Sequence, residues 1–245
     1  MRYARNRLYI QEEEQEIIKN TPILFAGCGI GSNIAECALR FGFENITIVD
    51  GDTIELSNLN RQNYTEGNIS QSKAESLYNR LKSINPEAKI NFHYEFITEE
   101  NLDRIITDQK IIINALDFTS NIPLLLDKTC QGKKIDVLHP YNLGWGGLVT
   151  VITPDGLGLD SLSSDNFNEL KMVEYVSSYL RFWKKPSEWL ENIIHEYKSE
   201  KELLPPPQLS IASWIVAGMC THIMYKIATK KDFKKFPEFY INSII

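Results

Sequence analysis

The chain has 245 residues, 43% of them apolar and 24% charged, which excludes a wholly disordered or fibrous protein. At roughly 150 residues per domain, that length suits one large domain or a domain carrying an insertion. With 26 basic and 32 acidic residues the formal charge is −6, so neither a general grip on nucleic acid nor adhesion to an anionic membrane is expected.

The first half alternates strand-like and helix-like segments. Gln11 to Lys19 reads as an exposed acidic helix that Pro22 ends, and Ile23 to Ala26 as a short buried strand. Glycines follow, then a helical pattern from Ser32 to Phe41. Ile46 to Val49 is a second strand. Ser70 to Ile84 reads as a helix with Ser70 as candidate N-cap, stopped at Asn85-Pro86. Lys89 to Tyr94 is a third strand, Glu99 to Thr107 a helix, and Ile111 to Ile113 a fourth strand. Leu124 to Cys130 lies on another helix, and Ile135 to Leu138 forms a fifth strand. A sixth strand, Gly147 to Thr153, follows a glycine-rich bend, and Pro154-Asp155-Gly156 marks a turn.

This order predicts an α/β fold, Rossmann-like and doubly wound, with a mainly parallel sheet. From Leu157 to Leu204 strand signals vanish, and two polar helical stretches flank Lys184-Lys185-Pro186. Residues 157–204 are therefore expected to be a helical insertion within a single nucleotide-binding domain spanning 1–245. Pro205-Pro206-Pro207 returns the chain to a long apolar helix, Ile211 to Ala228, read as buried because His222 and Lys226 interrupt it. Phe239 to Ile241 favours a last strand. The four cysteines, Cys28, Cys37, Cys130 and Cys220, form no C-x-x-C pair, and no apolar leader core follows Met1. The expectation is a cytoplasmic protein without a membrane span.

The most informative run is Gly27-Cys28-Gly29-Ile30-Gly31-Ser32, directly after the first strand and opening a helix. Glycines there let the backbone turn sharply and approach phosphates, while the helix N-terminus offers N–H donors. Ser32 stands where a third glycine is usual. A tight strand-to-helix turn with no ligand would use the same residues. Asp50 ends the second strand about 20 residues beyond Gly31, where an acid can bind ribose hydroxyls. Asp52, two residues on, reads as a loop cap. Arg61 and Lys73 then add two cations, with Asn58 and Gln62 as neutral donors. That group suits a triphosphate, whose charge a hydride-transfer cofactor does not carry. A solvated loop arginine and a helix-surface lysine are the alternative for each cation alone.

At these residues the chain resembles the ThiF/MoeB/HesA family, relatives of the ubiquitin-activating enzymes. It supplies GCGIGS, Asp50-Gly51-Asp52, the run SNLNRQ from Ser57 to Gln62, Lys73, and an apolar strand leading to Asp117. The segment Arg2-Tyr3-Ala4-Arg5-Asn6 is similar to the family's N-terminal element. The resemblance implies that Asp50 binds the ribose of ATP, that Asn58, Arg61 and Lys73 contact its phosphates, and that Asp117 holds Mg2+. It implies that Arg5 reaches the neighbouring subunit's site in a homodimer. The implied reaction is attack by a C-terminal carboxylate, of a small ubiquitin-like or sulfur-carrier protein or of a peptide, on the α-phosphorus, with release of pyrophosphate.

The chain also departs from the family. Ala115 to Asn121 lacks the asparagine and later arginine that often follow the aspartate, and Asp117 could instead cap the next helix. The paired cysteines of the family's zinc site are missing, so no zinc is expected. No cysteine lies between Leu157 and Leu204, so adenylation is expected without an enzyme thioester, and Cys130 and Cys220 are expected to be core thiols. His139 and His222 lack metal-ligand spacing and are read as structural. Gly144, Gly146 and Gly147 could line a tail channel or simply make a tight bend. The alternatives are activation of a carboxylate on a modified tRNA base, a non-catalytic partner subunit that binds a ubiquitin-like protein, and an NAD(P)-dependent oxidoreductase on the same fold.

Overall fold

The computed structural model describes residues 2–162, 167–201 and 204–244. Of the expected 157–204 insertion, residues 163–166 and 202–203 lie outside the described residues. The acidic helix α1 (Glu12–Asn20) starts with a capping box in which the Gln11 N–H donates to Glu14 at 3.1 Å. Then come β1 (Pro22–Ala26), α2 (Ile30–Phe41), β2 (Asn45–Val49), α3 (Lys73–Ile84) and β3 (Lys89–His93). A single turn, α4 (Leu102–Ile105), precedes β4 (Ile111–Asn114), α5 (Ile122–Gly132), β5 (Asp136–Asn142) and β6 (Gly146–Ile152). Two helices, α6 (Glu169–Phe182) and α7 (Glu188–Ser199), leave the sheet. The chain returns as α8 (Ser210–Ala228) and closes with β7 (Tyr240–Ser243).

The strands form one seven-stranded sheet in the order β3-β2-β1-β4-β5-β6-β7. The first five are parallel; β6 and β7 add antiparallel, with Leu138 opposite Val151 and Leu148 opposite Ile241. Side chains alternate across the pleat. Ile23 and Phe25 of β1 and Ile111 and Ile113 of β4 face a core closed by α2, α3 and α8. Leu24, Ala26 and Ile112 face the opposite core, closed by α4, α5, α6 and α7. The strand order reverses between β1 and β4, and the crevice beyond their carboxyl ends is where such sheets bind ligands.

Helix α8 is apolar and long enough to cross a membrane, yet it packs against α2, β5 and β6. Ala212, Val216, Ala217 and Cys220 are buried, whereas Ile211, Trp214, Gly218 and His222 form an exposed stripe at helical spacing. A Cβ on Gly147 would lie 2.5 Å from Val216, and one on Gly146 would lie 2.8 Å from the Asn242 carbonyl. Those two glycines therefore sit inside β6 and let α8 and β7 close on it.

Two local expectations need correction. Ser70 is not the cap of α3: it sits in the left-handed region at φ +67°, and its N–H donates to the Ile54 carbonyl. The cap is Ser72, whose hydroxyl accepts the Glu75 N–H. The helix expected over 99–107 shrinks to α4, because the Asn101 side chain accepts the Thr98 N–H and ties the preceding residues into a turn.

Candidate active site

The turn after β1 is built around Gly27, which has φ +91°. A Cβ there would lie 2.5 Å from the Ala115 carbonyl oxygen, so β1 and β4 can exit side by side only with glycine at this position. Gly29 faces the Gln62 side chain, whose amide nitrogen would be 3.3 Å from an added Cβ. Gly31 has room for a small side chain. Ser32, fully buried, donates its hydroxyl to the Gly29 carbonyl at 2.7 Å and accepts the Asn63 N–H at 3.0 Å. It therefore fastens the SNLNRQ segment to the glycine turn, a task a third glycine could not perform.

Asp50 is buried at the end of β2. One carboxylate oxygen accepts the Cys28 N–H at 2.6 Å and the other the Asp52 N–H at 2.7 Å. Burial pushes this carboxyl up, while those two N–H donors and Lys73 pull it down. Asp50 thus shapes the glycine turn with the same group that the ribose expectation assigns to it. Asp52 is not a loop cap: its carboxylate pairs with the Lys73 ammonium at 2.9 Å. Lys73 opens α3 and is buried, its N–H held by the Asp52 carbonyl at 3.0 Å, so it is no surface lysine.

Asn58 is buried in the short turn Leu56–Asn58, where its side-chain oxygen accepts the Glu55 N–H at 3.0 Å. Gln62 has a buried side-chain oxygen with no partner among the described residues. Arg61 donates Nε to Gln208 at 2.5 Å and Nη1 to the Ser57 carbonyl at 2.9 Å. Its charge is opposed by burial and favoured by the Asp117 carboxylate.

Asp117 lies in the loop after β4. It does not cap α5, where the Ser120 hydroxyl accepts the Ile122 N–H instead. No described residue hydrogen-bonds to it. Its carboxyl is pushed up, first by burial in the concave crevice and then by Glu169, and is pulled down by Lys73. Arg61 and Lys73 each feel the Asp117 charge, while the ion pair formed at these strand ends is Lys73 with Asp52. Among the described residues no set of three His, Cys, Asp or Glu side chains could share a metal. A lone carboxylate fits Mg2+ where phosphate oxygens and water complete its octahedron.

Arg5 stands apart from this group. It lies in the turn Ala4–Asn6, exposed and without a partner among the described residues. Its neighbours anchor the segment: Tyr3 donates to Glu44 at 2.8 Å, and Asn6 donates to the Phe41 carbonyl at 2.8 Å.

A cavity of about 140 Å3 opens beside Asp117. Its floor is the sheet at Asn114, His139 and Tyr141, and its roof includes α6, α7 and Pro206 to Gln208. His139 is buried and lies 2.9 Å from both Asp127 oxygens, and Asn114 donates to the same carboxylate at 3.0 Å. Glu169 accepts the Phe118 N–H at 3.0 Å and so docks α6 against the Asp117 loop. These residues were not singled out as site residues from the sequence. Their partners lie 9 to 147 positions away, and the one local signal was a polar Asn114 closing an apolar strand.

The model of the ThiF family matches residues 3–244. The chain is 31% identical over 159 residues to the sulfur carrier protein ThiS adenylyltransferase of Bacillus subtilis, covering 62% of this chain and 47% of that one. It is 33% identical over 139 residues to the tRNA threonylcarbamoyladenosine dehydratase of the same organism, covering 56% of this chain and 54% of that one. It thus spans about half the length of those relatives. A crystal structure of Escherichia coli MccB with ATP superposes with a TM-score of 0.72 at 20% identity, covering 99% of this chain and 71% of that one, and shares the fold.

Proposed function

Because the chain belongs to the ThiF family, we propose that it is an adenylyltransferase that uses ATP and Mg2+ to activate the C-terminal carboxylate of a small ubiquitin-like or sulfur-carrier protein or of a peptide. The observation that carries the reading is the glycine turn after β1, held by the buried Asp50 through the Cys28 and Asp52 N–H groups, with the buried Lys73 ammonium paired to Asp52 beside it. The name of the Bacillus subtilis relative, an adenylyltransferase acting on a sulfur carrier protein, supports it.

A carboxylate is a weak nucleophile toward a polyanion, so the protein must neutralise charge and align the partners. The N–H groups at the start of α2 and the Lys73 ammonium would cradle the phosphates, with Asn58 and Gln62 as neutral contacts. Asp50, held at the end of β2, would take the ribose hydroxyls. Arg61, positioned by Gln208, would offset charge developing on the α-phosphoryl oxygens. Mg2+ on Asp117 would supply further charge neutralisation at the phosphates. A substrate carboxylate oxygen forms a bond to the α-phosphorus, the bond to the bridging oxygen breaks, and pyrophosphate leaves with the electron pair.

The acyl group would not pass through an enzyme thioester. Cys28, Cys130 and Cys220 are buried, and burial pushes up all four thiols. Arg5, exposed and without a partner among the described residues, would complete the site of a neighbouring copy, so the active form would be a homodimer. Exchange of pyrophosphate into ATP in the presence of a carboxylate substrate tests the reading. Exchange should occur with the native protein and fall by at least ~100-fold in Arg61→Ala and in Asp117→Ala. Absence of exchange together with tight binding of a ubiquitin-like protein would favour a non-catalytic partner subunit instead.

A further inference from the structure

The cavity beside Asp117 is lined in part by residues to which the adenylation reading assigns no role. Its upper walls are apolar: Leu170 and Val173 on α6, and Leu190 and Ile194 on α7. All four belong to the segment that leaves the sheet, so the insertion itself builds the chamber. At about 140 Å3 it matches the apolar cavities of about 150 Å3 that take up a benzene molecule. On its sheet side the Asn114 side-chain oxygen and the Tyr141 hydroxyl are buried and have no partner among the described residues. Both atoms are sealed from solvent, so whatever fills the chamber meets its apolar walls rather than these two groups.

The entrance fixes what that occupant belongs to. In the adenylation reading the substrate carboxylate is joined to the α-phosphorus near Asp117, which lines the chamber, so the residue that carries it would sit at the chamber's mouth. Glu169 and Asp117 on the same rim repel a second carboxylate, so the chamber suits an uncharged group. A tail ending in Gly-Gly has no side chain and would leave the space empty, losing the contacts the walls could make.

We propose that the α6–α7 insertion makes this enzyme selective for carboxylate substrates whose last residue carries a bulky, mainly apolar side chain, of leucine to phenylalanine size, rather than for a Gly-Gly tail. The inference rests on the adenylation reading above. It assigns the cavity residues to specificity and leaves the chemistry with Arg61, Lys73 and Asp117.

The test uses the full chain and a panel of short peptides and a ubiquitin-fold protein, each prepared with Gly-Gly, Leu or Phe at its carboxyl end. Pyrophosphate exchange should run roughly 10- to 100-fold faster, in kcat/KM, with Leu or Phe than with Gly-Gly. Val173→Phe and Ile193→Phe, which fill the chamber from two different helices, should each collapse that ratio toward one. Thermal unfolding of both variants identifies any that fails to fold. Equal or faster exchange with Gly-Gly tails, or a ratio unmoved in both folded variants, would overturn the selectivity while leaving adenylation standing. If no member of the panel supports exchange, adenylation itself falls, and calorimetric binding of the same panel decides the pocket separately. Leu- or Phe-ended members binding at least tenfold tighter would retain it, and equal binding would end it.

Discussion

Ser32 illustrates how a departure from a motif can be read physically. A hydroxyl at this position joins two segments 31 residues apart, the glycine turn and the loop holding Arg61. Ser32→Ala removes both hydrogen bonds and leaves the Asn63 N–H without its acceptor. The expected cost is about 1–3 kcal/mol in chemical denaturation, and Ser32→Gly should cost at least as much. The glycines and Asp50 were legible because strand, turn and helix lie within a short stretch whose spacing has a mechanical cause. Their division of labour was not. Asp50 spends both carboxylate oxygens on backbone N–H groups, and Asp52 turns out to be the partner of Lys73. Gln208 and Glu169 gave no sequence signal, because each reaches its partner, Arg61 or Phe118, only through tertiary structure.

At the level of elements, the acidic helix α1 is tied to the end of α8. Glu14 pairs with Lys231 at 2.6 Å, accepts the Gln11 N–H at 3.1 Å and accepts the Tyr225 hydroxyl at 2.8 Å, and these contacts lower its pKa from the usual carboxylate value to about 2. The sign follows from linkage: a carboxyl depressed in the folded state contributes stability above its unfolded pKa, near 4.5, and loses it as pH falls toward 2. Native protein should therefore lose stability across that interval more steeply than Glu14→Gln. Denaturant midpoints measured from pH 5 to pH 2.5 check this, and identical slopes would remove Glu14 from the account. Helices with strong periodicity and clear stops, such as α2 and α3, were legible. Glu99 to Thr107 has helix-forming residues but only one closed turn, because Asn101 competes with its own side chain.

For the molecule as a whole, the alternation of strand and helix revealed five parallel strands, since parallel neighbours require crossovers and crossovers leave a rhythm in the sequence. The antiparallel addition of β6 and β7 was hidden, because pairing direction depends on distant partners such as Leu148 and Ile241. The assembly proposed from the exposed Arg5 has a specific consequence. Arg5→Ala and Lys73→Ala, each inactive alone, should on mixing recover about a quarter of native activity, since a two-fold dimer of the two variants holds one site with both cations. No recovery, with subunit exchange shown by mass, would place Arg5 outside the neighbouring site. The insertion adds a wall to a fold that otherwise ends at the strand tips, and there the pocket beside Asp117 acquires its volume.

Calorimetric titration of the native protein with Mg-ATP and, separately, with NADH tests the central claim most directly. Mg-ATP should bind, with affinity reduced at least ~10-fold in both Arg61→Ala and Lys73→Ala, while NADH should not bind. Equal binding of Mg-ATP to the native protein and both variants, or tight binding of NADH alone, would contradict the assignment of these two cations to a triphosphate.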